Sequence, residues 1–289
     1  MLELTKSMRS IDLDNVSTHV TEIRPRQGLF NLDLRSVWQY RELLYFLIWR
    51  DLKVRYKQAA IGTAWAMLQP LIALVIFTAV FGYFAKLPSD GVPYPVFALA
   101  ALLPWTYFAE ALRRGATGLV DDSDLIRKIY FPRLVIPLAM VVAPAVDLAI
   151  SFTLLVVLMA WYGIAPTGNI VFLPFFLFLS LGLALALGLW LGPINVRFRD
   201  IKHTLPFVLQ VWMYASPVVY STSMIPEQWR SLYSLNPMVG VIEGFRWALL
   251  DTSAPDFRAI GIGVLVVTGL LFGGIVYFRK MERFFADVI

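Results

Sequence analysis

WRDLKVRYKQAAIGTAWAMLQPLIALVIFTAVFG, Trp49 to Gly82, is the stretch that decides the fold. It opens with four cations, Arg50, Lys53, Arg55 and Lys57, and then between Lys57 and Lys86 runs for 28 residues without an Asp, Glu, Lys or Arg. At about 1.5 Å per residue such a run is roughly 40 Å long as a helix, enough to cross a hydrocarbon core of about 30 Å with some tilt. The four cations then stand just outside that core, at the depth of phospholipid headgroups. A helix lying on one membrane surface leads into a helix that crosses it, and every other segment is placed relative to that junction.

Upstream, residues 33–57 are amphipathic. Arg35, Gln39, Glu42, Arg50, Lys53 and Lys57 share one stripe, interrupted by Phe46, while Leu34, Val37, Leu44, Ile48 and Leu52 share another. Trp38, Tyr40, Tyr45, Trp49 and Tyr56 are interleaved, and such rings favour the membrane–water boundary. The expected element is an interfacial helix in the headgroup plane. Residues 1–32 are polar and lack the apolar core of a signal peptide, which predicts a loosely ordered cytoplasmic extension.

Downstream, residues 58–289 read as an all-α integral membrane domain with six spans, at about 61–85, 94–112, 134–162, 170–194, 204–222 and 258–279. Pro93, Pro95 and Pro104 mark the second as short or kinked. The charged loop 113–133, RRGATGLVDDSDLIRKIYFPR, is expected to hold a short helix capped by Asp121, Asp122, Ser123 or Asp124 and ended at Phe131-Pro132. From Leu134 to Val196 the only charge is Asp147, and the turn residues YGIAPTGN at 162–169 divide that run in two. Residues 223–250 are apolar but broken by Glu227, Arg230, Glu243 and Arg246; Pro226 and Pro237 suit first helical turns, with Asn236 as a cap. These predict a re-entrant hairpin before the last span. On the expected cytoplasmic side stand 21 Lys and Arg, against Lys86, Arg230, Arg246 and Arg258 on the other, which puts both termini in the cytoplasm.

Composition agrees and excludes much. With 58% hydrophobic and 16% charged residues, and a mean hydropathy of +0.68, the chain lies outside the soluble range. Its formal charge of +5 resides beside the apolar runs, so no nucleic-acid surface is expected. Without cysteine there is no disulfide, iron–sulfur cluster or thiolate nucleophile, and His19 and His203 both lie outside the apolar runs, so no metal site is expected. No carboxylate pair or Ser/His/Asp set stands out. No Gly-Lys dipeptide occurs, so there is no P-loop; if ATP drives this protein, another chain hydrolyses it.

Asp147 admits two readings, a proton relay or a structural bond to a neighbouring helix or subunit. The small-xxx-small pairs Gly188/Gly192 and Gly269/Gly273 admit close helix packing or chance. Trp65, Phe77, Phe81, Tyr94, Phe97 and Trp105 belong to a dense aromatic set that serves anchoring and packing, or offers stacking faces to sugar rings in a pore.

The segments RDLKVRYKQAAIGTAWAMLQPL (50–71), YPVFALAALLPW (94–105), LIRKIYFPR (125–133), NVRFRDIKHTLPF (195–207), SPVVY (216–220) and LNPMVGVIEGFRWALL (235–250), in this order, resemble the transmembrane subunit of type-2 ABC exporters for polysaccharides, the permeases for O-antigen, capsule and teichoic acid. The resemblance covers about residue 34 to the end. It implies a permease of the bacterial inner membrane, paired with a second copy of itself and with two copies of a nucleotide-binding subunit that holds ATP and magnesium. The substrate it implies is a glycan on a polyprenyl pyrophosphate. On this resemblance, Asp121, Asp122, Asp124, Arg127 and Lys128 contact the ATPase. Trp229, Tyr233, Asn236, Pro237, Glu243 and Arg246 belong to a hairpin closing the external mouth. Arg50, Lys53, Arg55 and Lys57 either contact the lipid pyrophosphate or serve as positive-inside anchors. Export of a small lipid or drug by the same fold, or an integral membrane enzyme on polyprenyl-linked glycans, are the alternatives.

Overall fold

A computed structural model describes the backbone of residues 34–57 and 62–282 and the side chains of 37–57 and 67–282. The expected extension 1–32, the turn at the junction itself, the Trp65 side chain and Arg283 lie outside the described residues. All regular structure among those described is helical. Among the described residues five segments are long and apolar enough to cross a membrane, against the six expected: 67–84, 94–121, 135–161, 168–197 and 257–282.

The organising helix is α4 (Tyr94–Asp121). Most of its surface is buried, and residues 96–101 are fully so. A helix apolar on every side must be surrounded. Around it stand α3 (Gly62–Phe77), α6 (Val135–Val142), α7 (Ala145–Trp161), α8 (Leu173–Arg197), α9 (Ile201–Tyr214) and α11 (Pro237–Leu250), while α12 (Phe257–Glu282) lies along α8. The expected break at Pro104 does not end α4. Proline removes the hydrogen bond to the carbonyl of residue 100, but the Thr106 hydroxyl donates to the Leu103 carbonyl at 3.0 Å in the same turn, and the buried neighbours hold the helix through it. The helix then continues through 113–121, so the first half of the expected loop extends a core helix.

Glycine sets the closest helix contact. A Cβ on Gly188 would lie 3.3 Å from the Gly115 Cα, and one on Gly192 3.3 Å from the Gly115 carbonyl oxygen. The Gly188/Gly192 pair is thus the face on which α8 meets α4. In the second pair only Gly273 is confined, by Trp190 at 2.9 Å, while Gly269 faces open space.

Two expected spans are broken. The run 134–162 divides into α6 and α7 at Ala143-Pro144, where proline cannot donate. The expected span 204–222 is not continuous: α9 has 14 residues, about 21 Å of helix, and ends before Ser216-Pro217, because the residue preceding proline avoids the helical region. The first span changes type instead, since α3 runs into a π-helical segment, Thr78–Phe84. Its following turn places Lys86, Asp90 and Gly91 in the left-handed region before Pro93 starts α4.

A second, smaller core lies at the other end of α4. There Leu47 of α2 (Arg41–Lys57), which follows the short helix α1 (Leu34–Gln39), packs with Leu119, Phe131, Ile136 and Phe278. The apolar stripe expected at Leu44 and Ile48 lies at its edge, with Leu47 at the apex. The helix α5 (Ser123–Lys128) follows α4 directly and rests Leu125 and Ile126 on this core.

Candidate functional site

Charged side chains on α2, α4 and α7 meet in one ladder beside the smaller core. Asp51 accepts both Arg55, one turn along α2, at 2.7 Å, and Arg114 of α4 at 2.7 and 2.8 Å. Arg114 also donates to Glu110, one turn back, at 2.5 Å, and Glu110 takes Arg113 at 2.7 and 2.8 Å. Arg55 reaches on to Asp147 in the first turn of α7, where Tyr56 donates to the second oxygen of the same carboxylate. Burial pushes the Tyr56 phenol above the ordinary tyrosine range, which keeps it a donor. Asp147 is therefore shared by a guanidinium and a phenol, as a structural bond requires. That is the second of the two readings the sequence leaves open.

A second bridge joins α2 to the start of α5. Arg50 donates to both oxygens of Asp122 at 2.7 and 2.8 Å. Asp122 stands at the N-cap of α5, but its carboxylate is turned to Arg50 and the backbone carbonyl alone closes the first turn. The remaining residues expected on this loop, Asp121, Asp124, Arg127 and Lys128, are exposed, as are Ile129 and Tyr130 beyond them. Clamped behind by Arg50 and packed below on Leu125 and Ile126, α5 presents a fixed, mixed-charge face.

The four cations of the junction divide. Arg55 is spent in the ladder and Arg50 in the bridge to Asp122, whereas Lys53 and Lys57 make no ion pair among the described residues. Together with Phe46, Trp49 and Val54 they line a shallow groove on the outer side of α2.

At the opposite end, α10 (Glu227–Tyr233) and α11 form the expected pair of short helices, with Pro226 and Pro237 at their starts. The Asn236 side chain caps α11 by accepting the Met238 N–H at 3.1 Å; it also accepts the Trp212 indole N–H at 3.0 Å and donates to the Ser216 hydroxyl at 2.9 Å. One cap thus ties α11 to α9. Arg246, 4% exposed, donates to the carbonyls of Val218, Tyr220 and Phe97 at 2.9, 3.3 and 3.3 Å, and its guanidinium lies 3.5 Å from the Phe97 ring centre. The break after α9 leaves carbonyls without helical partners, and Arg246 supplies donors to them.

The six residues expected to form one external gate are therefore not one surface. Pro237 and Arg246 are internal, Asn236 is a capping joint, and Trp229 is exposed on α10. Tyr233 and Glu243 line a polar cavity of about 290 Å³ with Asp90, Ser223, Arg230 and Asp256. The expected pore aromatics divide likewise. Tyr94, Phe97 and Trp105 are buried, with the Tyr94 hydroxyl donating to the Val219 carbonyl at 2.8 Å and Trp105 packed on Phe108 and Trp212. They are core, because α4 has neighbours on every side. Phe77 and Phe81 are half-buried in an edge-to-face pair.

Sequence reasoning passed over Asp51, Glu110, Arg113, Arg114 and Asp90. The i,i+3 and i,i+4 spacings Glu110/Arg113, Glu110/Arg114 and Asp51/Arg55 were visible signals for part of the ladder. Nothing in the sequence joins Asp51 to Arg114 or Asp90 to Ser221.

Comparison with known proteins agrees with this architecture. The sequence profile of the ABC-2 type transporter family matches residues 42–250. The chain is 33% identical over 259 residues to the O-antigen export system permease protein RfbA of Myxococcus xanthus, covering 89% of this chain and 98% of that one. It is 26% identical over 251 residues to the protein of the same name from Klebsiella pneumoniae, covering 86% and 95%. To the polysialic acid transport protein KpsM of Escherichia coli it is 25% identical over 242 residues, covering 82% and 92%. With a profile match over most of its length and relatives aligned nearly end to end, the chain belongs to the ABC-2 type transporter family.

Proposed function

We propose that the protein is the permease subunit of an ATP-driven exporter that moves a polyprenyl-pyrophosphate-linked polysaccharide out of the cytoplasm. The glycan class is supported by the relatives, named for O-antigen export and polysialic acid transport. The observation that carries the mechanism is the Arg50–Asp122 clamp. It makes α2, α5 and the end of α4 one mechanical unit, with the exposed face of α5 free to receive an ATPase.

In this proposal two copies of the chain pair with two nucleotide-binding subunits, which hold ATP and magnesium, and both termini are cytoplasmic. Closure of the ATPase pair pushes α5. The push passes through the ladder to α2 and α7 and along α4 into the bundle. The interfacial placement of α2 is supported by Tyr45, Phe46 and Trp49, all more than half exposed on a helix otherwise docked by Leu47. Lys53 and Lys57, held by no carboxylate among the described residues, are better placed than Arg50 and Arg55 to meet a lipid pyrophosphate. The broken fifth segment, α9 with residues 215–222, completes six membrane passages beside the α10–α11 hairpin.

The test is purification of the tagged protein with its operating partners in mild detergent, followed by an ATPase assay. Co-purification of a Walker-motif subunit in equal amount, with vanadate-sensitive hydrolysis, supports the proposal. A folded protein that carries no ATPase sinks it.

A further inference from the structure

The cavity lined by Asp90, Glu243 and Asp256 lies between the turn before α4, the segment after α9, α11 and the loop before α12. Its chemistry differs from the apolar groove on the other side of α10, which Trp212, Trp229 and Leu232 line. Asp90 accepts the hydroxyls of Ser221 at 2.6 Å and Ser223 at 3.4 Å. Glu243 accepts Thr222 on Oε1, and Asp256 accepts the Arg258 backbone N–H on Oδ1 at 2.9 Å. An ionised carboxylate has about four lone-pair sites. Glu243 and Asp256 each retain an oxygen with no donor among the described residues, and Asp90 retains lone pairs on both of its own.

Three acceptors facing one space suggest a metal at first. Among the described residues, however, no three His, Cys, Asp or Glu side chains come together closely enough to hold an ion. Their spacing suits a larger ligand that brings many donors of its own. The rest of the lining supplies the complement: the Arg230 guanidinium at the rim, one nitrogen of which is given to the Ile225 carbonyl, and the Ser223 and Tyr233 hydroxyls, which are bonded to Ser221 and Tyr220 and keep acceptor capacity. A volume of about 290 Å³ lies near the lower end of small-molecule sites, which begin at roughly 300 Å³. A single sugar ring, whose hydroxyls donate in several directions and whose ring oxygen accepts, matches this set. A sugar carrying a carboxylate would meet three like charges against one guanidinium.

We infer that this cavity is a binding site for one neutral pyranose unit, with Asp90, Glu243 and Asp256 accepting ring hydroxyls and Arg230 donating at the rim. The inference rests on the export proposal for its biological setting and names a substrate class within it: the glycan unit held at this end of the chain is uncharged.

The experiment is saturation-transfer NMR on the protein in phosphatidylcholine nanodiscs free of glycosidic detergent. The probes are methyl mannoside, methyl galactoside and, as the acidic comparison, methyl glucuronoside. Transfer to a neutral pyranoside and none to the glucuronoside is expected. The substitutions Asp90→Asn with Glu243→Gln, and separately Asp256→Asn, which keeps the cap on Arg258, should each weaken binding roughly tenfold, the effect of losing a hydrogen bond to a charged acceptor. An unchanged melting temperature and monodisperse elution separate lost binding from lost fold. Absence of transfer to either neutral pyranoside, equal transfer to the glucuronoside, or undiminished binding in the variants overturns the inference. Surface glycan in cells lacking the chain and complemented with it reports export separately. Binding without restored glycan keeps the cavity and removes the export setting, whereas restored glycan without binding does the reverse.

Discussion

Arg246 shows most directly how a single residue carries the architecture. Its guanidinium is surrounded by the carbonyls of Val218, Tyr220 and Phe97 and by the Phe97 ring, and it is pinned by geometry from two elements. Arg246→Met keeps the length of the stem but leaves those carbonyls without a donor, at a cost of about 3 kcal/mol, to be read as a fall in the melting temperature of the solubilised protein. Arg246→Lys should recover part of that loss, since an ammonium reaches fewer of the three acceptors. At Asp147 the expected result differs. Asp147→Asn leaves Arg55 with Asp51, so transport should persist and show no new dependence on the proton gradient. Abolished transport in a folded Asp147→Asn protein would return the relay reading.

At the scale of elements, the ladder and the glycine contact can each be separated from simple packing. Asp51→Asn and Arg114→Gln, made singly and together, should show a coupling of about 1 kcal/mol, because the pair is partly buried and the Arg114 Nη1 reaches both carboxylate oxygens. Additive effects would mean that the Asp51–Arg114 pair does not hold α2, leaving that to Leu47 and to the bonds of Arg50, Arg55 and Tyr56. Gly188→Leu forces α8 away from Gly115 and should cost about 1–3 kcal/mol. Gly269→Ala meets no atom within 4 Å and should be neutral or stabilise α12 by up to about 1 kcal/mol. The two glycine motifs look alike in sequence, and only the first is closed by a facing backbone. Local spacing also made the two short helices α10 and α11 legible, down to Asn236 as the cap, since proline, asparagine and the first helical turn act within a few residues of one another. The length of α4 was not legible in the same way. Arg113, Arg114 and Asp121 look like a loop until Asp51 and Glu110 are seen to pair with two of them.

At the scale of the whole molecule, exposed apolar side chains such as Val75, Val157, Trp161, Phe178 and Leu265 cover the outside of the bundle, as lipid contact requires. If an ATPase docks as proposed, the exposed charged face of α5 is where it attaches to such a body. Arg127→Glu with Lys128→Glu turns this mixed-charge face wholly acidic without touching Leu125 or Ile126, so an ATPase subunit should be lost from the purified assembly while the permease itself stays folded. Retention of the subunit at full stoichiometry would move the contact elsewhere.

The sequence by itself determined that the chain is an all-helical membrane protein, where its apolar runs begin and end, and which family it resembles. Those properties follow from composition and from hydrophobic runs, which are local sums along the chain. Tertiary structure alone decided what the charges and rings do. Arg50 and Arg55 became struts while Lys53 and Lys57 found no ion pair among the described residues; Tyr94, Phe97 and Trp105 became core; Asp147 became a joint; and three carboxylates from separate segments came to face one cavity. Each depends on which helix lies opposite. A charged or aromatic side chain has several chemically sound partners, and the choice among them is made by packing between residues as far apart in sequence as Asp90 and Asp256.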